Sequence, residues 1–266
     1  MTDDVLAPLA ELPGVAEAAA RARDAVDAVL WDRGLRARAA DVVAGSRLRG
    51  AWASASIDGA EVRPDALVSG DALDGSPIGR VVAAAIAVQA QTPSQVDVFA
   101  RAPLQAVSHL HTYVAAGFVA DDERGRLRTD DVADDPLRLG PLPTAAEASR
   151  RTTAWASLLS RPTAAPALVV AAVVHGEVAV TRPFAWGSGL VARATTRLVL
   201  ASRGVDPDGI TVPEAGLWAA GRSAYASALK AYATGTPEGV AQWLVLHSDA
   251  VRVGADESRR ILADLA

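Results

Sequence analysis

The stretch TRPFAWGSGLVAR, Thr181 to Arg193, holds the residues of this chain whose types and spacing could do chemistry. Gly187, Gly189 and Ala192 fit G-x-G-x-x-A, a turn that lays a pyrophosphate on a helix N-terminus. Asp206 and Asp208 follow about twenty residues on, where a ribose-binding carboxylate would stand. That turn should follow a strand directly. Here Thr181-Arg182-Pro183-Phe184-Ala185-Trp186 intervenes, no second strand precedes the acid, and no alternating strand and helix pattern lies upstream. A nicotinamide-dependent oxidoreductase using Gly187-x-Gly189-x-x-Ala192 therefore stays only as an alternative.

The other reactive side chains are few. Cys 0 leaves no thiolate, disulfide framework or cysteine metal site, and there are four histidines. His175 sits in a nearly all-apolar run and reads as a core histidine with its hydrogen bonds satisfied. His109 and His111 lack further ligands nearby and read as structural. Asp121, Asp122 and Glu123 lack the ordered spacing of a calcium loop and read as a solvated loop face. No metal and no cofactor are expected.

The elements that must position the stretch are helical in pattern. Apolar positions recur at helical spacing from Val15 to Leu30 and again through Ile57. Ser76-Pro77 starts a third helix, and Ser94 is the expected N-cap of a fourth that needs a break at Pro103. Residues 121–143, rich in Asp, Gly and Pro, form a long excursion of the kind that is usually functional or mobile. Helical patterning resumes with Thr144 as a cap, after Pro162, after Ser188, and from Pro213 onward. The run VVAAVVHGEVAVT could form a hairpin on β-branched content, but Ala171-Ala172 fits a strand poorly.

Length and charge bound the function. At 266 residues the chain can bury one sizeable core, and an alanine- and valine-rich composition with 5% aromatics favours close helix packing. A net charge of -5 gives no field for a phosphate backbone, so no nucleic-acid partner is expected. No apolar run reaches the ~18 residues of a membrane span, and the acidic start MTDDVLAPLAELPG is unlike a secretory signal; no membrane partner and a cytoplasmic location are expected.

Residues 167–204 resemble the central helix, loop and following helix of the Fic family, whose signature is HPFx[DE]GNGRxxR. Pro183, Phe184, Gly187, Gly189 and Arg193 match it without gaps, and His175 stands where these proteins commonly carry an earlier helix histidine. GRLR at Gly125 to Arg128 is similar to the family's G-x-[FYL]-R, HLH at His109 to His111 falls in the helix before it, and the closing helices are similar as well. The resemblance covers Val96 to Val251. Upstream, WASASIDGAEV resembles the S-x-x-x-E-G segment of the self-inhibited Fic subgroup, with Ser54, Asp58 and Gly59 in the matching places and aspartate for glutamate. In that subgroup the carboxylate reaches the last signature arginine, which here implies a contact between Asp58 and Arg193.

The departures from the signature carry the functional expectation. Arg182 replaces the histidine that acts as general base, and a guanidinium cannot accept that proton. Trp186 replaces the acidic metal ligand and has no oxygen for Mg²⁺. Ser188 replaces the asparagine and Leu190 the first arginine. The resemblance implies an all-α, Fic-like helical bundle with an N-terminal helical extension, divided into a regulatory region, 1–95, and a core, 96–266. It implies a protein whose transferase chemistry is lost. A nucleotide or phosphate ligand at Gly187, Ser188, Gly189 and Arg193, a protein partner, and a homodimer are the expected associations. A nucleotidyltransferase with altered chemistry, using His175 as its base, is the alternative from the same family.

Overall fold

The computed structural model describes residues 4–265, which are helical with no strand among them. The helices are α1 (Val15–Leu30), α2 (Leu35–Ile57), α3 (Pro64–Ser69), α4 (Pro77–Gln91), α5 (Val96–Arg101), α6 (Pro103–Val114), α7 (Ala145–Leu159), α8 (Ala167–Thr181), α9 (Ser188–Ser202), α10 (Pro213–Ala220), α11 (Arg222–Ala233) and α12 (Pro237–Asp264). Short 3₁₀ turns span Ala7–Glu11 and Thr92–Gln95.

Local chemistry sets most boundaries. The hydroxyls of Ser76, Thr144 and Thr236 accept the N–H groups of Gly79, Glu147 and Gly239, satisfying donors that each first turn would leave orphaned. Pro77 and Pro237 follow two of these caps, where the missing N–H costs nothing. α5 ends at Arg101 and α6 starts at Pro103, the break that the proline demands. Ser94 is not an N-cap: its hydroxyl donates to the Gln91 carbonyl at 2.8 Å inside the 3₁₀ turn, and α5 begins at Val96. A local side-chain bond to the preceding turn has taken the place of a cap. The stretch from Pro213 onward, read as helical throughout, is three helices broken at Gly221 and at Thr234 to Thr236.

Helices α8 and α9 form the centre. Every residue of α8 except Ala167 and Glu177 is buried, which explains why its sequence shows no polar stripe. Around this pair lie α1 against α12, α10 against α12, and α2 against α4 and α10. The α10–α12 approach needs Gly216, where an added Cβ would fall 1.9 Å from the Ala250 carbonyl oxygen. One continuous apolar cluster runs from Leu6 to Ile261, drawing residues from both sides of position 95. The excursion 121–143 carries no helix and lies over the α8–α9 connection.

Candidate functional site: the α8–α9 connection and its carboxylates

Helix α8 stops at Arg182, which takes the left-handed conformation (φ 45°) ahead of Pro183. A residue with a Cβ pays about 1–2 kcal/mol for that geometry, and the surroundings hold it there. The Arg182 guanidinium bonds the Asp135 carboxylate at 2.7 Å and the carbonyls of Pro141 at 2.8 Å and Gly140 at 3.2 Å. Arg182 is thus a buried clamp on the far end of the excursion.

Phe184 is buried and stacks on the His111 ring, centroids 3.9 Å apart. His111 accepts the Gly125 N–H at Nδ1 (2.9 Å), so its Nε2–H donates to the Trp186 carbonyl (3.0 Å). The imidazole therefore ties the GRLR turn to the connection. Burial lowers its pKa to about 4, against the carbonyl bond that favours the charged form. Trp186 lies flat on Phe118, centroids 3.5 Å apart, and the Arg80 guanidinium lies over the Phe118 ring at 5.2 Å. Ser188 turns inward, its hydroxyl accepting the Phe184 N–H and facing the Phe184 carbonyl, and Leu190 is core. Gly187 (φ 78°) is the N-cap of α9; a Cβ there would meet Val114 at 2.3 Å.

The excursion is stitched to the connection along its length. Arg128 N–H donates to Pro183 O and Asp134 N–H to Ala185 O, at 2.9 and 3.0 Å. The buried Arg128 side chain donates to the carbonyls of Arg182, Asp130 and Pro143 at 2.6–2.8 Å and to that of Thr181 at 3.3 Å. The Asp134 carboxylate then accepts the Gly187 N–H at 3.1 Å. A carboxylate of the chain itself occupies the helix end where an external anion was expected. Burial, and next the Asp58 charge, raise the Asp134 pKa to about 7 against that N–H bond.

The second carboxylate comes from the end of α2. Asp58 Oδ2 meets Arg193 Nη2 at 2.6 Å, and Ser54 contributes its hydroxyl to Nε at 2.6 Å and its carbonyl to Nη2 at 3.2 Å. The arginine side chain is 0% exposed and the aspartate 9%. Residues 135 positions apart therefore meet as the upstream motif implies, with Ser54 making up for the shorter aspartate. Asp58 Oδ1 and Arg193 Nη1 have no partner although both are buried. Gly59 follows with φ 92°.

Four side chains, His175, Thr196, Tyr225 and His247, form a buried network. His175 bonds Thr196 at Nδ1 (2.9 Å) and Tyr225 at Nε2 (2.7 Å), and Thr196 meets His247 Nε2 at 2.9 Å. Burial first, then His247 and Arg193, push the His175 pKa well below its ordinary value; burial takes His247 to about 3 and moves Tyr225 up to about 12. His175 is a core histidine with both ring nitrogens satisfied. One turn along α9, Arg197 forms a two-pronged pair with Glu214, 2.8 Å on each side, and Gln89 donates to the same carboxylate at 2.7 Å.

Several sequence expectations change here. The dinucleotide turn fails because Gly187 follows helix α8, not a strand. Asp206 is consumed locally, accepting the N–H groups of Ile210 and Thr211 and the Thr211 hydroxyl. The Ser188 hydroxyl is bonded within its own loop, to the N–H and carbonyl of Phe184. Asp121 pairs with Arg124 at the surface, as a solvated loop face would. Sequence reasoning missed Asp134 and Asp135, which lie in an acidic run that looks like ordinary loop; their spacing after GRLR was the only available signal.

The architecture is that of Fic proteins. A Fic family protein from Desulfovibrio desulfuricans G20 matches with a TM-score of 0.75 and 18% identity, over 96% of this chain and 76% of that one. A fragment of Fic-1 from C. elegans matches with a TM-score of 0.64 and 16% identity, over 94% of this chain and 72% of that one. At these identities the likeness establishes the fold, and the chain has the Fic fold. No protein-family model matches the sequence, and no curated protein matches it. Among the described residues no helix is long and apolar enough to cross a membrane.

The Mg²⁺–nucleotide complex that Fic transferases use does not fit the residues present. Trp186 offers no oxygen at the metal-ligand position, while Asp134 and Asp58 are engaged by Gly187 and Arg193.

Proposed function

We propose that this is a catalytically silent Fic-fold protein that works by binding, with a protein partner and a weak residual affinity for nucleotide or phosphate. The observation that carries the reading is Arg182: the position of the family's general base holds a guanidinium clamped to Asp135 and two carbonyls. A guanidinium offers donors only and has no lone pair with which to take a proton from a target hydroxyl. The inward Ser188, the core Leu190 and the stacked Trp186 support the same reading. An anion at the α9 N-terminus has to displace Asp134, so binding there is expected only at millimolar concentration and more readily below neutral pH. Incubation with radiolabelled ATP, with and without Mg²⁺, should leave the chain and lysate proteins unlabelled. Arg182→His alone should not restore labelling, since Trp186, Ser188 and Leu190 remain.

A second reading keeps some transferase chemistry. Asp134 supports it, because a carboxyl with a pKa near 7 beside the α9 N-terminus is tuned as general bases are. Labelling that disappears in Asp134→Asn but survives His175→Ala would favour this reading over the silent one.

A further inference from the structure

Helix α2 has oppositely charged surroundings at its two ends. At its start the corner after α1 exposes Trp31, 78% accessible and the most exposed large apolar residue described. Arg33, Arg36 and Arg38 are exposed beside it, and none of them joins an ion pair among the described residues. Among the described residues Arg38 donates to the Leu265 carbonyl, and the local acid, Asp32, is turned onto the Gly34 N–H. The first turn of α2 contains no acidic residue, so these cations add to the positive end of the helix dipole instead of opposing it. Folding gains nothing from that arrangement.

The far end of α2, 23 residues and about 34 Å away, carries the complement. Arg222 bonds the Ile57 carbonyl at 2.7 Å and the Pro136 carbonyl at 3.0 Å, fixing the excursion beside this helix end. A few residues before that anchor the excursion exposes Asp130, Asp131 and Val132, the valine 70% accessible; one oxygen of Asp131 accepts the Ala145 N–H at 2.6 Å and faces Arg128 at 3.7 Å, and Asp130 has no ion-pair partner among the described residues. One end thus offers an aromatic ring among cations, and the other an aliphatic side chain beside carboxylates.

We infer that a second copy of this chain docks its Asp130–Val132 loop on the Trp31–Arg33–Arg36–Arg38 corner, joining copies head to tail. The two surfaces match in sign and in apolar content, and no contact joins them within one molecule among the described residues. A head-to-tail contact does not close on itself as a two-fold dimer does, so association adds copies in a row. The patches are small, so the contact is weak and, being largely ionic at the surface, sensitive to salt.

Sedimentation velocity on the full chain over a concentration series tests this. The expected result is a mass that rises with concentration, with an association constant that falls about tenfold or more from low to high salt. Trp31→Ala, the pair Arg36→Glu and Arg38→Glu, and the pair Asp130→Arg and Val132→Ser should each abolish association while leaving the circular dichroism spectrum and melting temperature unchanged. Mixing the Trp31→Ala chain with the loop variant should restore a one-to-one dimer that grows no further, because each supplies one intact end. A single monomer mass at every concentration and salt would overturn the inference. So would association that ignores the loop variant, which would mean a contact between two Trp31 corners or on another face.

Discussion

Helix α9 carries two buried arginines one turn apart, and their partners treat them differently. Arg197 meets Glu214 with two parallel bonds of 2.8 Å, while Gln89 donates to the same carboxylate and the Ser46 hydroxyl accepts from Arg197. Arg193 meets Asp58 through one oxygen, fills the deficit with Ser54, and leaves Asp58 Oδ1 and its own Nη1 unpaired. The first pair joins α9 to α10 deep in the core, and burial, which alone would raise the Glu214 carboxyl, is outweighed by Arg197 so that its pKa is lowered. The second joins α9 to the last turn of α2 at the edge of the signature connection. A fully bonded pair fixes the fold, whereas a half-bonded pair holds a contact that can be released at less cost.

The largest effect should come from Glu214→Ala. It strands the Arg197 charge in the core, and chemical denaturation should show a loss of about 3–5 kcal/mol. A loss under about 1 kcal/mol would mean that water reaches Arg197, and the contrast between the pairs would fail. Asp58→Ala should cost less, about 2–3 kcal/mol, because Ser54 still holds the guanidinium and one unpaired oxygen is removed with the carboxylate. A double-mutant cycle of Asp58→Ala and Arg193→Ala should give a coupling above the ~0.5 kcal/mol of independent sites. Equal losses at Glu214 and Asp58 would erase the distinction.

A smaller effect concerns pH. The folded pKa of Asp134, about 7, lies above its ordinary 3.8, so the folded chain binds this proton more tightly than the unfolded one. The stability from that site is fully present below about pH 4 and is lost as pH rises through about 7, the reverse of a salt-bridged carboxylate. Asp134→Asn should remove this pH dependence, which a shift from 3.8 to about 7 sets at no more than about 4 kcal/mol between those limits. An unchanged slope in the variant would show that Asp134 is charged throughout and that Asp58 does not bear on it.

The helix count shows how local signals differ in reach. Caps and prolines at Ser76, Thr144 and Pro103 marked boundaries correctly because each acts on donors within its own turn. Ser94 misled because a hydroxyl can bond backward as easily as it can cap, and only the neighbouring turn decides. The short helix α3 gave no periodic signal, having six residues and one buried side chain, Leu67.

The sequence by itself determined that the chain is helical, that the α8–α9 connection keeps the glycines of the Fic signature with Arg182 and Trp186 at two of its other positions, and that Asp58 pairs with Arg193. Those conclusions rest on residue identity, spacing and a motif whose geometry is carried with it. Only the tertiary structure decided where Asp134 and Asp135 go, that Ser188 faces inward, and that His175 is sealed beneath Tyr225 and Thr196. The physical reason is that an acidic run in a loop has the same composition whether it is solvated or folded back on a helix end. The choice is made by contacts between residues 134 and 187, and no local pattern records them.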